Sequence, residues 1–130
     1  MILDTAFVID VWDGDEGALD CLDDLERRGL PQRLSAMTVF ELHYGVGRSG
    51  KPERERRRVL DVVDSKPIVA ADRAVMAKAG SLHATLENDG KPIGESDCII
   101  AASALVVEES VVTRNVGHFE RVGDLDVHPY

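Results

Sequence analysis

Cysteine is nearly absent from this sequence, and so are aromatic residues and lysine. The 130 residues include two Cys, one Trp, two Tyr, three Phe and four Lys. Two cysteines are too few for a disulfide framework; Cys21 and Cys98 lie far apart inside helical patterns, and neither belongs to a metal-ligand spacing. They read as reduced core thiols of a cytoplasmic protein. No apolar run approaches the ~18 residues that span a bilayer. The N-terminus has no basic stretch leading into an apolar one, so no signal peptide is expected. Positive charge is outnumbered, with 15 Lys and Arg against 24 Asp and Glu, a net charge of −9. Nucleic-acid binders are usually basic, so bulk charge argues against one. The acids are unevenly spread, however, and an acidic metal site would account for several of them.

What is present is a regular alternation of short apolar strands and helices. Ile2 and Leu3 read as a first strand. "TAFVIDVW" reads as a helix packing Phe7, Val8, Val11 and Trp12. Residues 15–29 form an amphipathic helix with Leu19, Leu22 and Leu25 inward and Gly29 as its stop. "RLSAM" is a second strand. "TVFELHYGVGR" is a helix with Val39, Leu42 and Val46 on one stripe. A charged helix follows over about 52–64, with Val59, Leu60, Val62 and Val63 facing in. "PIVAA" is a third strand, and Asp72 caps a helix running to about Glu87. Residues 95–109 form a nearly all-apolar, buried helix. "SVVT" is a fourth strand and "LDVHP" a fifth at an edge. The expectation is a single α/β domain over 1–130. Its central, mainly parallel sheet of four to five short strands is flanked by helices on both faces.

In such sheets ligands bind beyond the carboxyl ends of the strands, and the acids there matter most. Asp4 ends the first strand, where it also suits a helix cap. Glu41 follows Thr38 in "TVFE", a capping-box pattern. Asp97 opens the buried helix, where an acid complements the helix dipole. Asn115 follows the fourth strand and suits a turn, with Thr113 and Arg114 beside it as polar filler. Each has a purely structural role available. Together they place three carboxylates and an amide where strands meet helices. Clustered carboxylates repel one another and call for a cation. Hard oxygen donors without Cys or His suit Mg²⁺ or Mn²⁺, and such a site fits phosphodiester hydrolysis by an activated water.

The segments "ILDTAFVID", "TVFELHYGVGR", "SDCIIAASAL" and "VVTRNVGHFERV" together resemble the PIN domain, specifically a VapC-type toxin of a type II toxin–antitoxin pair. They occur in the family's order and span the chain almost end to end. The resemblance implies a Mg²⁺- or Mn²⁺-dependent endoribonuclease. It carries over Asp4, Glu41 and Asp97 as catalytic acids and metal ligands, and places Asn115 where many members have a fourth acid. Thr5 and Thr113 would orient metal waters or phosphate, with Glu95 as a spare acid. The resemblance also implies an RNA substrate, a cognate VapB-type antitoxin laying a basic side chain among the carboxylates, and a homodimer; the lack of a long apolar run predicts no membrane span. The homodimer interface falls on the apolar positions of the first two helices and the charged helix.

Basic residues crowd positions 48–58, where Arg48, Lys51 and Arg54 are candidate RNA-backbone contacts. The alternative there is a solvated face with Glu53 and Arg57 paired. His43, His83, His118 and His128 show no ligand spacing and are assigned no chemistry, and Phe119 reads as core. Two other nuclease-fold roles remain: RNA maturation or decay, and a non-catalytic binding module. A phosphatase-like domain with a phosphorylated Asp4 would want an acid two residues on, where Ala6 stands.

Overall fold

The computed structural model describes all residues, Met1–Tyr130. Twelve elements follow one another: β1 (Ile2–Leu3), α1 (Thr5–Trp12), α2 (Glu16–Arg27), β2 (Leu34–Ser35), α3 (Ala36–Arg48), α4 (Pro52–Ser65), β3 (Ile68–Val69), α5 (Arg73–Asn88), α6 (Glu95–Val106), β4 (Val111–Thr113), α7 (Val116–Phe119) and β5 (Val127–Pro129). The strands pair in parallel as β1–β4–β5 and β2–β3. A parallel bridge from Ile2 to Arg33 joins the two groups, with Leu3 N–H donating to Arg33 O at 2.9 Å. The continuous order is therefore β3–β2–β1–β4–β5, and its direction of winding reverses between β1 and β4. The expected parallel α/β sheet is what forms.

Side chains alternate across so short a sheet, and that divides the core in two. Ile2 and Val111 join Leu86 of α5, Cys98, Ile100, Ala101 and Ala104 of α6, and Phe119 of α7 on one face. Leu3, Leu34 and Val112 join Phe7 and Val8 of α1, Ala18, Cys21 and Leu25 of α2, Leu42 of α3 and Val59 of α4 on the other. Helices thus cover both faces, as a parallel sheet requires. Both cysteines are free and buried. No helix is long and apolar enough to cross a membrane.

Several expectations shift. The inward stripe of α2 is Ala18, Cys21 and Leu25, while Leu19 is 43% exposed. A small residue, Ala18, takes the close-packed position that leucine spacing alone assigns to Leu19. Leu60 is likewise exposed on α4. Glu53 and Arg57 do not pair. The ion pair on α4 is Arg58 to Glu55 at 3.9 Å. The buried helix stops at Val106, and Glu108 beyond it takes a positive φ of 56°. One-turn α7 escapes detection by periodicity because four residues hold only one period.

Candidate active site

Asp4 sits where β1 ends, level with the end of β4. The β1–β4 register pairs Leu3 with Val112, and Asp4 N–H donates to Val112 O at 3.0 Å. Asp4 occupies the N-cap position of α1 with extended backbone, yet its side chain makes no capping bond. Instead, Thr113 Oγ1 donates to Asp4 Oδ2 at 2.7 Å. Thr113 Oγ1 accepts in turn from Asn115 N–H at 2.9 Å. Asp4 is 5% exposed. Burial pushes its carboxyl up to about 6. The Thr113 bond opposes that shift, and the nearby charges of Asp97 and Glu41 add to it.

Glu41 does not close a capping box. Helix α3 starts earlier than "TVFE" suggests, because Ser35 accepts from Met37 N–H and takes the cap. That puts Thr38 inside the helix, fully buried. Glu41, one turn from the helix start, reaches across to α1. Thr5 Oγ1 donates to Glu41 Oε1 at 2.8 Å and lies 3.0 Å from Thr38 Oγ1. Burial raises the Glu41 carboxyl, with the Thr5 bond opposing and Asp97 adding to the rise.

Asp97 lies in the first turn of α6, whose N-cap, Gly94, has φ +94° and no side chain to cap with. That left-handed turn favours glycine and lets α6 begin at the rim of the sheet. Asp97 Oδ2 lies 3.1 Å from His118 Nδ1, and that nitrogen also lies 2.8 Å from Asn115 Nδ2. The nitrogen can serve only one of them, as an N–H donor to the carboxylate or as a bare acceptor from the amide.

A cleft of about 510 Å³ gathers Asp4, Thr5, Glu41, Asp97, Arg114 and Asn115, with Ala6 and Ile9 also lining it. It opens at the β1–β4 reversal, the place an open parallel sheet offers a ligand. Other candidates fall elsewhere. Thr113 is fully buried and holds Asp4 from behind instead of facing the cleft. Glu95 lines a separate groove with His83 and Cys98, because two helical steps, about 200°, turn it to the other side of α6 from Asp97. Arg48, Lys51 and Arg54 are exposed around the α3–α4 turn and do not line the cleft.

Sequence spacing overlooked two contributors. His118 touches Asp97 from α7, an element too short to signal itself. Arg114, read as filler, lines the cleft and donates from Nη1 to Asp10 Oδ1 at 2.9 Å.

No three Asp, Glu, His or Cys side chains converge into a closed metal cage. The donor set nevertheless fits a hard divalent cation. It consists of carboxylate oxygens close enough that Asp97 raises the carboxyls of Asp4 and Glu41, and Glu41 that of Asp4. An ion such as Mg²⁺ is commonly held by one or two carboxylates while keeping several waters. An open arrangement is what such an ion uses.

Residues 1–125 match the PIN domain family. The chain is 35% identical over 92 residues to the tRNA(fMet)-specific endonuclease VapC of Shigella flexneri, covering 71% of this chain and 70% of the relative. It is 34% identical over 104 residues to Ribonuclease VapC2 of Haemophilus influenzae, covering 80% and 79%. Among solved structures, the DNA-bound VapBC complex of Salmonella typhimurium superposes with a TM-score of 0.86 at 26% identity, over 98% of this chain and 96% of that one. The VapBC2 complex of Rickettsia felis, at a TM-score of 0.87 and 24% identity, shares the fold over 99% and 97%.

Proposed function

This chain belongs to the PIN domain family, in its VapC branch, and on that premise we propose that it is the ribonuclease toxin of a VapBC-type toxin–antitoxin pair, cutting RNA with the help of Mg²⁺ or Mn²⁺. One observation carries the reading: Asp4, Glu41 and Asp97, from three separate elements, open on one cleft at the sheet's reversal. Asp4 and Asp97 would hold the ion, with Glu41 joining directly or through water and Asn115 offering a neutral fourth donor. An ion bound there supplies an activated water and offsets charge on the phosphate. The chain's own residues do the rest. Thr113 fixes the Asp4 carboxylate from behind, and Thr5 fixes Glu41. The buried threonines keep both acids in place while the cleft is still charged and unfilled.

The antitoxin is proposed to place an Arg or Lys among the same carboxylates and so exclude the ion. A homodimer is proposed too. Ile9, Leu19 and Leu60 are exposed apolar residues on α1, α2 and α4, the helices expected to supply the interface, and Phe40 and Tyr44 stand exposed on α3.

The test is cleavage of tRNA in Mg²⁺ or Mn²⁺ by wild type, Asp4→Asn and Asp97→Asn. Cleavage by wild type alone supports the assignment, and equal cleavage by all three removes it. Growth arrest on expression, relieved by either substitution or by a co-expressed antitoxin, supports the toxin role.

A further inference from the structure

The acidic cleft has one lining side chain of fixed positive charge, Arg114. Its side chain is 62% exposed, while its partner Asp10 is only 10% exposed. A single hydrogen bond, from Nη1 to Asp10 Oδ1, ties the guanidinium down. Asp10 stands on α1, the helix that starts beside Asp4. Its second oxygen accepts from the Tyr130 hydroxyl at 2.7 Å. Tyr130 is itself wedged edge-on against Phe7, with ring centroids 4.9 Å apart. Burial, followed by the bond to Asp10, pushes the Tyr130 hydroxyl well above its ordinary range, so it stays a donor.

Both oxygens of a nearly buried carboxylate are thereby engaged, one by a rigid phenol and one by a guanidinium. Here the rest of the planar fork remains in solvent at the mouth of a cleft lined by three carboxylates. Such a fork matches phosphate oxygens two at a time. A polyanionic substrate approaching three carboxylates needs an attractive group that does not depend on the metal.

We propose that Arg114 binds a phosphate of the RNA backbone at the mouth of the cleft, with Asp10 and Tyr130 as positioning residues that hold its guanidinium there. The inference rests on the ribonuclease reading above and names a substrate contact within it.

The experiment is binding of bulk tRNA across a salt series, with Ca²⁺ in place of Mg²⁺, for wild type, Arg114→Gln, Arg114→Lys and Tyr130→Phe. One lost phosphate contact lowers the slope of log affinity against log salt by roughly 0.7–0.9. Arg114→Gln is therefore expected to show that drop and to bind about tenfold more weakly. Arg114→Lys keeps the charge and restores the slope, with affinity between the two. Tyr130→Phe keeps the slope and weakens binding several-fold, because the charge remains but is no longer held. An unchanged slope in Arg114→Gln overturns the assignment, whether affinity falls or not, since a purely structural loss leaves the ion count alone. Cleavage is read separately in Mg²⁺. If wild type does not cleave, the ribonuclease reading fails and the slope still judges Arg114. If cleavage is intact and the slope unchanged, only Arg114 fails.

Discussion

Three aspartates in this molecule occupy the same local position and do different things. Asp15, Asp72 and Asp4 are each the N-cap of a helix. Asp15 accepts from Ala18 N–H at 2.9 Å, and Asp72 accepts from Val75 N–H at 3.0 Å. Asp4 makes no capping bond. Its carboxylate is turned toward the cleft's other acids and held there by a hydroxyl from β4. At α2 and α5 the side chain stabilises its own helix. At α1 the local benefit, worth about 1 kcal/mol, is forgone. A carboxylate is instead buried among like charges, where its pKa rises to about 6. A residue so well suited to capping is thus left without its cap, as the proposed metal-binding role would require.

The sharpest way to break this contrast is Asp4→Asn. If Asp4 is a metal ligand, cleavage falls by more than the roughly 100-fold seen when outer partners of metal ligands are lost. Stability moves the other way. Folded Asp4 keeps its proton up to about pH 6, while the unfolded chain releases it near 3.8. Wild type therefore loses stability as pH rises between those values, and above them the deficit reaches about 3 kcal/mol. Urea unfolding without metal should show Asp4→Asn more stable than wild type at pH 7.5 and much closer to it at pH 4. A less stable variant at pH 7.5 would place Asp4 with the structural caps. Added Mg²⁺ should raise the stability of wild type and leave the variant unchanged.

Thr113→Val comes next. It removes the hydroxyl that fixes Asp4 while keeping the side chain's shape. Cleavage should drop about 10- to 100-fold, with Mn²⁺ affinity, measured by calorimetry, falling in step. Full activity would mean that the carboxylate is held by something else.

Asn115→Asp should act in the opposite direction. Asn115 lines the cleft, so a negative charge there should tighten Mn²⁺ binding by about tenfold. Unchanged affinity would set position 115 outside the metal's reach.

The smallest effect is expected where the cap is ordinary. Asp72→Ala should cost about 1 kcal/mol of stability, a factor of about five in the folded-to-unfolded ratio, and leave cleavage alone. A cleavage defect matching that of Asp4→Asn would erase the distinction between the two kinds of aspartate.

Much of the architecture is legible locally. The run from Ile2 to Leu3, the Asp72 cap, the buried 95–106 helix and the "SVVT" strand all announce themselves through apolar spacing and punctuation. Those signals act over a few residues, and they reach as far as a parallel sheet, while the strand order comes from the structure. The site is legible only in part. Asp4 could be picked out because it stands at a strand–helix junction. Glu41 lies within α3 and Asp97 opens a helix that follows α5 and not a strand, so the family resemblance carried those two. Glu95 opens the same helix as Asp97, yet lines a different groove. The difference is two helical steps, about 200°, which linear spacing alone cannot orient in space. Thr38 satisfied the pattern of a cap and became a buried helix residue, because Ser35 could also cap and lay nearer the strand.

The sequence by itself determined the order of the strands and the longer helices, the parallel pairing and the candidate acids, since hydrophobic periodicity and turn chemistry are written within a few residues of where they act. Only the tertiary structure decided which of those acids share a cleft. It also decided that Thr113 bonds Asp4 across 109 positions, Thr5 bonds Glu41 across 36, and Asp10 bonds Arg114 across 104 and Tyr130 across 120. The reason is physical. A carboxylate's role depends on the donors and charges within about 3–6 Å of it, and the chain brings those neighbours together only after its parallel crossovers have closed.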